Sequence, residues 1–187
     1  MRIISGQLKG KRILEPQDKN TRPLKDLTKE SIFNIIRHSN KFFFDLENSN
    51  ILDLFSGVGS FGLEALSRDA KFVTFIENYL HVIKILRKNI ENLKLSQKCQ
   101  VIEDDIFNNF NFTKLNQKYD LIFLDPPFKE KNIETLILKI YNSKILKSKG
   151  IIIIHRNSKE TDVFPKELNI LESKTYGKSQ IFFCNLN

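Results

Sequence analysis

The sequence predicts an α/β fold: a mostly parallel, doubly wound sheet with an antiparallel hairpin at one side. Two observations carry this. From Ile51 to His155, short apolar and β-branched runs alternate with segments of helical periodicity, which is the pattern of βαβ units. Beyond them, Ile170–Tyr176 and Gln180–Asn185 flank Gly177-Lys178 and read as a hairpin, which adds antiparallel strands.

Taken in order, Arg2–Ser5 and Lys11–Leu14 read as two short strands around Gly6 and Gly10, a small N-terminal β-hairpin. A polar loop leads to Arg22-Pro23 and a helix over Asp26–His38, with Leu27, Ile32, Phe33, Ile35 and Ile36 as its apolar side. Asn40 to Asn50 is a linker whose Phe42-Phe43-Phe44 is expected to pack on the main body. Strand one is Ile51–Phe55, with a helix after Gly59; strand two is Phe72–Ile76, with a helix over Tyr79–Leu93. Strand three is Cys99–Glu103 and strand four Tyr119–Leu124; a helix over Ile133–Tyr141 leads to strand five, Gly150–His155. Residues 1–40 are expected to form an extension and 41–187 the main domain.

Composition narrows the class. At 187 residues the chain is long enough for a full hydrophobic core. No stretch approaches the ~18 consecutive apolar residues of a membrane span, and Met1-Arg2-Ile3-Ile4-Ser5-Gly6 lacks the apolar core of a secretory signal. Cys99 and Cys184 have no metal-type spacing and are expected to be reduced core residues of a cytoplasmic protein. Thirty basic against 22 acidic residues give a net charge of +8. Residues 1–30 hold eight bases against four acids, half of that excess in less than a sixth of the chain. Such an arm favours a polyanionic partner through phosphate contacts, with Arg2, Lys9, Lys11, Arg12, Arg22 and Lys25 as candidates.

Two motifs carry chemistry. Strand four runs into Asp125-Pro126-Pro127-Phe128. The prolines fix their own φ and lack N–H groups, so a rigid shelf presents carbonyl acceptors beside a carboxylate and an aromatic face. That combination suits an exocyclic amino group on a flat base. The other motif is Asp53-Leu54-Phe55-Ser56-Gly57-Val58-Gly59, which leaves strand one and enters a helix through Gly62. Gly57, Gly59 and Gly62 fit the dinucleotide pattern, and Glu77 lies twenty residues after Gly57 at the end of strand two, so a nicotinamide cofactor is one reading. Asp53 counts against it, because a carboxylate there repels a pyrophosphate and suits a ligand carrying an ammonium and a sulfonium. S-adenosylmethionine fits better. In a sheet ordered 3-2-1-4-5, strands one and four meet at the switch point, where ligands bind beyond the carboxyl ends. The two motifs, some seventy residues apart, therefore converge.

These motifs stand with Arg2-Ile3-Ile4-Ser5-Gly6, Thr21-Arg22-Pro23, Glu30-Ser31-Ile32-Phe33-Asn34 and Gly62-Leu63-Glu64-Ala65-Leu66-Ser67-Arg68. Over nearly its whole length the chain resembles the bacterial guanine-N2 methyltransferases of small-subunit ribosomal RNA. The resemblance implies a Rossmann-like class I methyltransferase fold with a seven-stranded sheet. It also implies S-adenosylmethionine as methyl donor and small-subunit ribosomal RNA, alone or within a partly assembled subunit, as partner; a monomer without a metal is expected. The family usually has Gly where Ser5 and Asp69 stand, and often Glu in place of His155; Asp69 is expected to close a helix, where a positive φ is useful.

Roles then follow. The backbone of Phe55, Ser56, Gly57, Val58 and Gly59 is expected to hold the methionine part of the donor, with Asp53 orienting its ammonium. Glu77, with Asn78 beside it, is expected to accept from the ribose hydroxyls. By resemblance Asp105 faces the adenine amine with Ile106 beside the ring, and Asp104 is the rival register. Carbon-5 methylation of a pyrimidine needs a cysteine nucleophile, and neither cysteine is near the shelf. An amine needs only lone-pair orientation, which Asp125 and the Pro126 carbonyl supply by accepting its hydrogens, while Phe128 stacks on the base. Of two readings of His155, lining the site or capping strand five with a polar group, the cap is the one expected, and His38 and His81 are expected to be surface residues. An adenine-N6 enzyme shares the same shelf, and a catalytically silent RNA-binding assembly factor is the alternative outside enzymes.

Overall fold

The computed structural model describes residues 1–16, 24–41, 43, 45–108 and 110–187. Its elements run α1 (Asp26–His38), β1 (Asn50–Leu54), α2 (Ser60–Ser67), β2 (Phe72–Glu77), α3 (Leu80–Asn92), β3 (Cys99–Glu103), β4 (Tyr119–Leu124), α4 (Ile133–Ser143), β5 (Leu146–Asn157), β6 (Leu168–Tyr176) and β7 (Ser179–Leu186). The strands form one sheet in the order β3-β2-β1-β4-β5-β7-β6. Its first five members pair in parallel and β7 pairs antiparallel with both β5 and β6.

Successive side chains of a strand point to opposite faces, and here the parity is the same in every central strand. Ile51, Val73, Phe75, Leu121, Phe123, Ile151 and Ile153 enter the core under α1, α2 and α3. Leu52, Leu54, Ile76, Ile122, Leu124, Ile152 and Ile154 enter the core under α4 and the β3–β4 connection. Phe61 of α2 joins the first core to the N-terminal part, stacking on Phe123 at 3.9 Å and on Phe33 at 4.9 Å.

The N-terminal arm forms the expected small hairpin, with the Ile3 amide on the Lys11 carbonyl at 2.9 Å and the Ile13 amide on the Met1 carbonyl at 3.0 Å, and it is held across α2. Its two strands are short, meeting in a single antiparallel bridge, Arg2 with Arg12. Buried Glu64 accepts the amides of Ile4 at 2.7 Å and Ser5 at 2.9 Å, and Ser67 Oγ donates to the Ser5 carbonyl at 2.6 Å. Asn89 of α3 accepts the Leu14 amide and donates to the carbonyls of both Leu14 and Val58, tying the arm to the glycine loop. Lys29, one of the eight bases of the basic segment, is fully buried: Nζ donates to the Arg2 carbonyl and lies 3.6 Å from Glu64. Burial lowers its pKa, opposed by Glu64 and Asp26.

Other expectations change locally. Leu27 is 69% exposed and Phe43 77% exposed, so neither joins the core; Phe42 and Phe44 lie outside the described residues. Strand β5 begins at Leu146, earlier than its apolar run, with an irregular register opposite Tyr119 and Leu121. Asp69 adopts φ 72° after α2, the left-handed conformation expected there. No helix among the described residues is long and apolar enough to cross a membrane.

Candidate active site

Strand register and parity build the site. Leu54 pairs with Ile76 and with Leu124, and Leu124 pairs with Ile154, so the carboxyl ends of β2, β1, β4 and β5 are level. The parity that places Phe75 and Phe123 under α2 also turns Asp53, Glu77, Asp125 and His155 to that face. All four line one cavity of about 610 Å³ at the switch between β1 and β4. Pro16 and Leu24 from the N-terminal part, and Ser60 and Phe61 at the start of α2, complete its wall.

The half next to β1 and β2 is lined by acids around a tight loop, with Asp53 fully buried. Phe55 takes φ 61°, a costly conformation for a residue with a side chain, and stacks on Phe107 at 5.2 Å. Gly57 and Gly59 also have positive φ. Gly62 answers a different need: a Cβ there would lie 2.3 Å from the Phe75 ring, so its absence lets α2 approach the sheet. That approach brings the Gly62 amide to Asp53 Oδ2 at 3.0 Å. Asp53 is 1% exposed, and burial pushes its carboxyl well above the usual range, aided by the charges of Asp125 and Glu77. Glu77 accepts the amides of Gly57, Asn78 and Tyr79 at 2.9–3.0 Å. Ser56 Oγ is buried without a hydrogen-bond partner among the described residues.

After β3, Asp105 lines the cavity and its carboxylate accepts the amides of Phe107 and Asn108. Asp104 is exposed and off the cavity wall. Ile106 turns into the core under α4, and Phe107 instead lines the cavity. Gly59 also sits behind the wall, against Leu86. Phe55, Ser56, Gly57, Val58 and Asn78 all line it.

The half next to β4 and β5 holds Asp125, Pro126, Pro127, Phe128, Glu130 and His155. The group that fixes this shelf belongs to neither sequence motif. Arg156, 1% exposed, donates to the carbonyls of Pro127 at 3.3 Å, Phe128 at 3.3 Å and Glu130 at 2.7 Å. Its charge is met by the buried carboxylate of Asp162, with Nε at 2.9 and 2.8 Å from the two oxygens. A cation inside an otherwise apolar strand end, six residues before an acid, was the only signal available. His155 is not a solvent-facing cap: it is 4% exposed, its Nδ1 lies 2.8 Å from Asp125 Oδ1, and its ring meets Phe128 edge-on.

Away from the cavity, Arg2, Lys9, Lys11, Arg12 and Lys25 are exposed, while Arg22 lies outside the described residues. His38 and His81 are exposed on their helices. Both cysteines are free, and burial pushes the Cys99 thiol up to about 11 and the Cys184 thiol up to about 12. Neither lines the cavity. No thiolate nucleophile is therefore presented to a base there.

A parallel sheet reversed by a C-terminal hairpin, open at the switch between β1 and β4, is the Rossmann-like class I methyltransferase fold. A solved structure of the yhhF protein of Escherichia coli superposes with a TM-score of 0.79 at 26% identity, covering 100% of this chain and 98% of that one. The YlbH protein of Bacillus subtilis is 34% identical over 179 residues, 95% of this chain and 94% of its own. Ribosomal RNA small subunit methyltransferase D of Buchnera aphidicola is 31% identical over 185 residues, 98% of this chain and 93% of its own. The family model described as Conserved hypothetical protein 95 matches residues 1–185, and the chain belongs to that family.

Proposed function

We propose that this protein transfers a methyl group from S-adenosylmethionine to the exocyclic N2 of one guanine in small-subunit ribosomal RNA. One observation carries the reading: an acid-lined pocket suited to a cationic ligand and an amine-accepting shelf share a single cavity. The name carried by the Buchnera aphidicola relative supports ribosomal RNA as the substrate class.

The donor fits the residues present. Asp53 is a buried carboxylate whose desolvation a ligand ammonium would offset, and Ser56 Oγ is a buried polar atom awaiting a partner. Gly57 and Val58 would hold the methionine part through their backbone, Glu77 and Asn78 the ribose, and Asp105 with Phe107 the adenine. The bound donor supplies an activated methyl on a sulfonium. The protein's own work is orientation: Asp125 and the Pro126 carbonyl accept the amino hydrogens, so the nitrogen lone pair leaves conjugation. Phe128 stacks on the base, a contact worth ~1–3 kcal/mol in single-strand sites. The base leaves its stack to enter, which favours a loop or bulge over continuous duplex. Residues 1–40 serve as the RNA-binding extension of a catalytic domain formed by 41–187, in a cytoplasmic monomer.

The test is digestion of ribosomal RNA after incubation with labelled donor, followed by separation of nucleosides. Label in N2-methylguanine at one position is expected, with none in duplex DNA. Label in N6-methyladenine overturns the base assignment, and no label in any nucleic acid overturns the catalytic one.

A further inference from the structure

Resting on that reading, we infer that His155 is a positioning residue: a neutral imidazole, protonated on Nδ1, pins one oxygen of Asp125 and leaves the other for the target amine. The pairing of Leu124 with Ile154 sets Asp125 and His155 abreast, one step beyond, and their side chains meet at 2.8 Å. A carboxylate only accepts, so the proton lies on Nδ1.

The other ring nitrogen fixes the charge. Nε2 is buried and has no hydrogen-bond partner among the described residues. A second N–H there would be a buried donor without an acceptor on a buried cation, whereas a bare lone pair costs far less. The imidazole is therefore neutral, and the negative charge stays on Asp125.

The ring is held as well. It is 4% exposed and meets Phe128 edge-on, with centroids 5.4 Å apart. The terminal torsion of an aspartate is broad and soft, so a carboxylate at a cavity edge turns unless something fixes its plane. Arg156 immobilises the backbone that follows Asp125. His155 immobilises the carboxylate itself. Because Nε2 is sealed from the cavity, His155 acts through Asp125 and not on the substrate.

Two measurements test this. Nitrogen-15 NMR of labelled histidine in the free protein is expected to show a protonated Nδ1 and a bare Nε2 for His155, a pattern lost in Asp125→Ala. Single-turnover methyl transfer to ribosomal RNA is expected to slow by about 10- to 100-fold in His155→Leu, the loss of one hydrogen bond to a charged group. Calorimetric affinity for S-adenosylmethionine should hold. His155→Asn, whose amide nitrogen can take the place of Nδ1, should recover most of the rate. A purely packing role gives the reverse order, with leucine tolerated and asparagine worse. The inference is overturned by a proton on Nε2, with or without one on Nδ1, by a leucine variant as fast as the parent, or by an asparagine variant as slow as the leucine one. Failure of the wider reading shows in the parent protein, as no N2-methylguanine. The tautomer measurement then still decides the arrangement.

Discussion

The Gly57 amide donates to the Glu77 carboxylate over 2.9 Å, joining the loop after β1 to the end of β2. The same carboxylate accepts the amides of Asn78 and Tyr79. Glu77 therefore shapes the donor loop before any ligand arrives, and it stands two strands away from Asp125.

That separation predicts different failures for the two acids. Glu77→Ala should weaken binding of S-adenosylmethionine and also lower the melting temperature, because three amides lose their acceptor. Asp125→Ala should keep donor affinity and lose most turnover. Calorimetric titration and single-turnover assays separate the two; near-normal turnover in Asp125→Ala would refute the mechanism.

Asp53 predicts a conflict between stability and binding. Its pKa in the folded chain is raised, so its stabilising contribution is complete below the ordinary carboxylate value and is lost as pH rises through the raised one. The ligand-free protein should lose stability on this account from about pH 4 upward. Asp53→Asn keeps an acceptor for the Gly62 amide and removes the charge. Its melting temperature should match the parent near pH 4 and exceed it at pH 8, while affinity for the donor falls. Thermal melts across pH, with and without donor, check both halves.

Arg156 predicts a stability loss that reaches the shelf. Arg156→Ala leaves the Asp162 carboxylate and three carbonyls without their cation, and breaking such a buried pair costs about 3–5 kcal/mol. Urea unfolding should show that loss. Adding Asp162→Ala should return part of it, because no buried charge is then stranded. Turnover should fall in both, since the carbonyls that fix Pro127 and Phe128 are released in each.

For the RNA surface, Lys9→Ala, Lys11→Ala and Arg12→Ala together should weaken binding to ribosomal RNA and flatten its salt dependence. Each lost phosphate contact lowers the log–log slope by ~0.7–0.9. All three side chains are exposed, so the melting temperature should hold. Lys29→Ala should behave in the opposite way, unfolding more easily because a buried cation beside Glu64 is removed. An unchanged salt slope in the triple variant would place the RNA elsewhere.

Much of this was legible in the chain itself. Ile51 to Leu54, Phe72 to Ile76 and Tyr119 to Leu124 are apolar enough to be recognised as buried strands, and glycines and prolines mark where they end. Those local signals mark the strands, and the order of a doubly wound sheet, 3-2-1-4-5, then brings Asp53, Glu77 and Asp125 to one switch point. They could not place Asp105 against Asp104, or Phe107 against Ile106, because a turn after β3 sets which side chain faces inward.

What the sequence by itself determined is periodicity and punctuation, since both arise from backbone geometry within a few residues. Tertiary structure alone decided which polar groups became partners. Lys29 counts as one more surface base in the sequence, yet it is buried against Glu64 because the arm docks across α2. His155 and Arg156 look like the polar end of a strand, yet parallel register with β4 sets one beside Asp125 and the other under Pro127. The physical reason is the same in each case. A buried charge must find its counter-group among residues brought near by the fold, and sequence distance carries no record of that choice.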